Sequence, residues 1–208
     1  MGHAVNMQPR STITQGRILD AAVTALVEHG YAGASTLRIQ EIAGVSRGRL
    51  LHHFPSRDDL LVAAVQYLAS ARVDAMAHAV KWPASPKKRI SAAIDAMWST
   101  YQQDYFWAAT ELWMGARHNE QIRSVLANEE RALYQKIRAA ADSMFGTPLN
   151  EHPSYTDVRE LLNTSMRGVA LTYSFDRRPP GRDPHLRVWK KYATETLLTP
   201  APEVGADS

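Results

Sequence analysis

Cysteine is absent from all 208 residues, which excludes a disulfide framework, a thiolate metal site and a cysteine nucleophile. Long apolar runs are absent too. No stretch reaches the roughly 18 residues that a membrane helix needs, and the N-terminus has no signal-peptide core. There is no alternating apolar–polar run of strand type, no internal repeat and no low-complexity segment. The chain holds no HExxH, no phosphate-binding glycine loop and no nucleophile elbow. His29, His78, His118, His152 and His185 show no ligand spacing with one another, so neither a metal nor another cofactor is expected. No nucleophile, base and orienter stand in order, so no enzyme chemistry is expected. A protein of the reducing cytoplasm is the expectation that fits these absences.

What is present is helical spacing, with 45% hydrophobic residues to build a core. Thr14 can cap a first helix whose stripe is Ile18, Ala21, Ala22, Ala25 and Leu26, with Gly30 as its stop. Ser35 or Thr36 can cap a short second helix that Gly44 breaks. Ser46 caps a third, which Pro55 prevents from passing about His53. Ser56 then caps a long fourth helix, with Asp58 and Asp59 in its first turn. Its roughly 24 residues would span about 36 Å. Five more helices are expected at about 87–103, 105–117, 119–145, 154–175 and 184–198. The fold class is therefore all-α, with about nine helices. Residues 1–10 lack periodicity and read as a disordered arm, and residues 200–208 as a flexible tail.

The formal net charge is only +3, but it is unevenly placed. Residues 1–57 carry six arginines (Arg10, Arg17, Arg38, Arg47, Arg49, Arg57) against Asp20, Glu28 and Glu41, so this quarter of the chain holds the whole excess. All five tryptophans come later. The stretch "AGVSRGRLLHHF", residues 43–54, sets Arg47, Gly48 and Arg49 in the first turn of a helix. That end of the macrodipole favours acids, so the arrangement is unfavourable unless an anion lies opposite. Two short helices joined by a glycine turn form a helix-turn-helix, whose second helix enters the DNA major groove with its first residues on the base edges. Phosphate is then the missing anion. Gly48 costs about 1 kcal/mol against alanine inside a helix. It either admits the duplex closely or packs on the preceding helix.

The segments "TQGRILDAAVTALVEHGY" and "STLRIQEIAGVSRGRLLHHFPSRDDLL", with the long helix after them, resemble the DNA-binding region of the TetR family over about residues 12–68. "FWAATELWMGARHNEQIRSVL" resembles a later segment of many such regulators. The resemblance implies a homodimeric, ligand-responsive repressor. Residues 11–57 would be the helix-turn-helix domain, binding an inverted-repeat operator in double-stranded DNA. Residues 58–199 would hold a small-molecule effector and the dimer surface. It further implies that Ser46, Arg47 and Arg49 open the recognition helix and that His52 and His53 follow. Arg57 stands where a phosphate-binding lysine is usual, and Ser35 and Thr36 where a capping hydroxyl touches the DNA backbone. Three positions depart from the pattern. Leu51 replaces a tyrosine that commonly contacts phosphate, and can meet a thymine methyl or simply pack. Arg49 replaces a small residue and could read guanine or hold phosphate. Arg38 replaces an acid and adds a possible phosphate contact.

Met97, Trp98, Tyr101, Tyr105, Phe106, Trp107, Trp113 and Met114 fall on two consecutive helices. Bundle core is one reading of that density. An adaptable apolar pocket is the other. By resemblance the effector cavity lies among helices 4 to 8, with Trp98, Tyr101, Trp107, Glu111, Trp113, Met114 and Tyr173 as candidate lining. The dimer surface would use helices 8 and 9 through Leu161, Leu162, Val169, Trp189, Ala193 and Leu197. The alternative function is a helical small-molecule binder with a vestigial DNA-binding segment, which Leu51 alone favours.

Overall fold

The structure, a computed structural model, describes residues 10–79 and 81–200. Apart from Arg10 and Pro200, the expected arm and tail lie outside the described residues. Among those residues the fold is all-α, with nine α-helices and no strand. They are α1 (Arg10–Gly33), α2 (Thr36–Ala43), α3 (Arg47–His53), α4 (Arg57–Ala79), α5 (Pro86–Thr100), α6 (Asp104–Ala116), α7 (Glu120–Phe145), α8 (Tyr155–Thr172) and α9 (Pro184–Leu197). None of them is long and apolar enough to cross a membrane.

Helix boundaries follow from local chemistry. Ser35 and Ser46 accept the N–H of Arg38 and Arg49 and so open α2 and α3. Gly44 closes α2 in the left-handed region (φ 62°), which glycine adopts without strain. Ser56 Oγ accepts the Asp59 N–H at 3.1 Å and donates to its carboxylate at 2.7 Å, opening α4. The start and end of α1 differ from expectation. The helix begins at Arg10, so Thr14 lies within it, and Gly30 (φ 66°, ψ 175°) kinks it rather than ending it. One more turn follows because other partners take the backbone groups freed by the kink.

The chain packs as two compact units. The first comprises 10–72 and 104–134 of the described residues, the second 73–103 and 135–200. In the first, α1 packs along α6, and the helix-turn-helix shares one core with it. Ile18, Leu26, Ile39, Leu50 and Phe54 join Ala108, Leu112 and Ile122 there. In the second, α5 and α8 pack on α9. Its core takes Ile90 and Ile94 from α5, Leu162 and Met166 from α8, and Trp189 and Ala193 from α9. Arg159 is buried in this unit, and it donates to Asp142 at 2.7 Å and to Glu160 at 3.3 Å.

Candidate nucleic-acid interface

The first turn of α3 presents Arg47, Gly48 and Arg49 to solvent. Neither arginine pairs with a carboxylate or carbonyl among the described residues. Nothing lies within 4 Å of where a Gly48 Cβ would stand, so this glycine does not serve packing on α2. Leu50 is fully buried beneath the helix, while Leu51 is 41% exposed on the outer side. His52 is exposed and His53 half-buried, with their rings 5.5 Å apart edge to face. Thr36 opens α2 half-buried beside the capping Ser35.

Two other candidates are turned inward. Arg57 Nε donates to Ala34 O at 2.8 Å and Nη2 to Tyr31 O. Its Nη1 meets Asp58 at 3.5 Å, and its guanidinium lies 4.4 Å over the Tyr31 ring. Arg38 Nη1 donates to Gly33 O at 2.6 Å. Both arginines therefore satisfy orphan carbonyls at the C-terminal end of α1, where the helix dipole favours cations. Arg17, which the sequence did not single out, does the same for α2, with Nη2 2.6 Å from Ala43 O. Half of the six arginines in residues 1–57 thus stabilise helix ends. The outward charge of α3 rests on Arg47 and Arg49.

A second cluster ties this head to α6. Glu111 Oε2 accepts the Tyr31 N–H at 3.0 Å, just past the Gly30 kink. Tyr31 OH donates to Asp58 at 3.0 Å, and Asn119 Nδ2 reaches Asp58 Oδ2 at 3.3 Å. Burial, followed by the bond to Asp58 and that carboxylate's charge, raises the Tyr31 pKa. A Cβ on Gly115 would stand 2.8 Å from the Tyr31 ring, so only glycine lets α6 approach so closely. In sequence the sole hints were the "GY" pair and an acid among apolar neighbours.

The residues proposed for an effector cavity do not gather in one unit. Trp107, Glu111, Trp113 and Met114 belong to the first and Trp98, Tyr101 and Tyr173 to the second. Glu111 is engaged by the backbone of Tyr31, Trp113 Nε1 donates to Glu130 at 3.2 Å, and Met114 is 50% exposed. In the second unit Trp98 packs at a tilt against Trp189 (5.1 Å) and edge to face against Tyr173 (5.8 Å). Trp98 Nε1 donates to Pro180 O at 2.9 Å, Tyr101 OH to Asn163 O at 3.0 Å, and Tyr173 OH to Asp183 at 2.7 Å. The polar tips of these three are satisfied within the protein, as packed core requires.

The residues expected at a dimer surface divide between buried and outward positions. Leu162, Trp189, Ala193 and Leu197 are buried inside the protomer, where α8 and α9 meet. The outward apolar residues of the same helices are Leu161, Leu171, Val188 and Tyr192, with Val169 half-buried.

With this geometry in place, the chain can be set beside known proteins. A family model described as "Bacterial regulatory proteins, tetR family" matches residues 18–64, from α1 into α4. An HTH-type transcriptional regulator of Mycobacterium tuberculosis is 25% identical over 168 residues, covering 81% of this chain and 86% of the relative. The chain is a TetR-family transcriptional regulator. Identity is higher over a shorter stretch. The HTH-type transcriptional repressor AcnR of Corynebacterium glutamicum is 39% identical over 66 residues, 32% of each chain. The TetR fold extends over nearly the whole chain. A transcriptional regulator from Rhodococcus sp. Rha1 superposes with a TM-score of 0.67 at 22% identity, covering 89% of this chain and 99% of its own. A TetR transcription regulator from Haloarcula marismortui gives 0.61 at 22% identity, covering 89% and 97%.

Proposed function

We propose that this TetR-family regulator is a homodimeric repressor that grips an inverted-repeat operator with α3 and releases it when a small molecule binds. One observation carries the reading. At the exposed start of α3, two unpaired arginines flank a glycine with open space above it, while Arg17, Arg38 and Arg57 are held inside the fold. A cationic helix N-terminus of this kind suits phosphate and guanine edges. Ser35, Thr36, Ser46, Leu51, His52 and His53 would complete the contact. Arg38 and Arg57 would act by holding α1 in place rather than by touching DNA.

Two-fold symmetry would come from the outward residues Leu161, Leu171, Val188 and Tyr192 of α8 and α9, packed with their symmetry mates as a four-helix bundle. Two recognition helices must stand about 34 Å apart to meet successive major grooves. A ligand that changes this separation weakens DNA binding, and operator weakens the ligand by the same factor. Residues 11–57 are the reading head in this scheme and 58–199 the responsive part. Selecting operators from a random duplex pool with the purified protein tests the reading. An enriched inverted repeat supports it, and a folded dimer that enriches nothing refutes it.

A further inference from the structure

The outward face of α3 is cationic except at one place. Arg47, Arg49 and His52 are exposed, Gly48 has no side chain, and the helix contains no acid. Among them stands Leu51, 41% exposed, while its neighbour Leu50 is fully buried. An exposed leucine alone carries little meaning. This one has a defined setting. Gly48 lies three residues before it and Arg47 four, so all three share one side of the helix. A Cβ at Gly48 would meet nothing within 4 Å, so the space beside Leu51 on that side is open.

Leucine can neither donate nor accept a hydrogen bond. It cannot hold a phosphate or read the polar groups of a base edge. The one apolar group that a base pair shows in the major groove is the C5 methyl of thymine. Set against cytosine, the same leucine would cover the N4 amino group and offer it no acceptor. The cations on either side draw the phosphates, and this charge complementarity seats a duplex on the face that Leu51 shares.

We propose that Leu51 reads a thymine in each operator half-site, its side chain seated on the C5 methyl in the space that Gly48 leaves open. The assignment rests on the reading of α3 as the helix that meets DNA. Leu51 stands about 6 Å along α3 from Arg47, roughly two base steps. The thymine therefore lies close to the base or phosphate that Arg47 meets.

Replacing thymine by deoxyuridine removes the methyl and leaves the pairing edge unchanged. The operator selected from a random duplex pool is resynthesised with one symmetric pair of thymines at a time replaced by deoxyuridine. Binding of the full chain is followed by fluorescence anisotropy. One pair of positions is expected to weaken wild-type binding by about fourfold per half-site, the value of one buried methyl group. Leu51→Ala and Leu51→Asn should bind the thymine and deoxyuridine duplexes equally at that position. Each comparison is made within one protein, so a loss of folded fraction cancels in the ratio. An operator with no methyl-sensitive position overturns the proposal and leaves the regulator reading standing. A sensitive position whose ratio persists in both Leu51 variants overturns it too, because the methyl is then felt by another residue. A folded dimer that selects no operator overturns both.

Discussion

The backbone N–H of Tyr31 donates to the carboxylate of Glu111 at 3.0 Å, across eighty residues of sequence. The bond exists because Gly30 has kinked α1 (φ 66°) and freed that N–H from the helix ladder. Glu111 thereby fastens the last turn of α1 to α6. Tyr31 in turn holds Asp58 at the start of α4, and Arg57 caps the same turn from the other side. One small polar cluster thus fixes how the helix-turn-helix sits on α6.

Removing this bond should destabilise the fold without touching the DNA-facing surface. Glu111→Ala leaves a partly buried N–H unpaired, which costs about 1–3 kcal/mol. Glu111→Gln keeps an acceptor oxygen and should lose less. Urea denaturation of the three proteins measures this, and equal midpoints would show that the bond contributes nothing.

Arg57 separates structure from recognition. Its guanidinium serves Tyr31 O and Ala34 O, so Arg57→Ala should lower stability by about 1–3 kcal/mol. At a temperature where the variant is folded, the salt dependence of its DNA binding should match wild type. A slope reduced by about one would instead mark Arg57 as a phosphate contact.

Much of this fold is legible in the sequence, because its signals are local. Ser35, Ser46, Ser56 and Gly44 announce helix ends within three or four residues, and the i, i+3, i+4 stripes of α1 and α8 mark the core. Long-range partners leave no such trace. Nothing near Arg57 tells whether it turns toward DNA or toward the end of α1. The neighbours Leu161 and Leu162 show how differently two adjacent leucines of α8 are placed. The regular stripe of Leu162, Met166 and Ala170 is the protomer's own core, and the outward stripe is interrupted by Thr164 and Gly168. The segment "DRRPPGRD" reads as a loop, yet its Asp183 is buried and bonded to Tyr173, Arg178 and His185. Composition could not have shown that.

Burial pushes the Asp183 carboxyl up, but bonds from Tyr173, the His185 backbone and ring, and Arg178 outweigh it and bring the pKa down to about 2. A carboxylate depressed in the folded state stabilises it above its unfolded pKa, near 3.9, and that contribution vanishes as pH falls through about 2. The expected size is about 2 kcal/mol. Asp183→Asn should therefore lower the unfolding temperature at pH 6 to 7, and the gap to wild type should close between pH 4 and 2. A gap constant across that range would show that the charge is not what matters.

The two faces of α8 should respond differently to charge. Leu161→Arg, on the outward stripe (51% exposed), is expected to leave a folded protein that sediments as a monomer. Leu162→Ala, inside the core, should instead cost about 2–5 kcal/mol of stability. A Leu161→Arg protein that remains dimeric would move the interface elsewhere.

The most direct test is the affinity of wild type, Arg47→Ala and Arg49→Ala for a selected operator and its single-base variants, measured by fluorescence anisotropy at several salt concentrations. Each substitution is expected to act in one of two ways. A base-reading arginine loses about 1–3 kcal/mol on the selected sequence and relaxes one position, while a phosphate-holding one weakens all duplexes evenly and lowers the salt slope by about one. Unchanged affinity and slope in both variants would contradict the assignment of α3 as the surface that meets DNA.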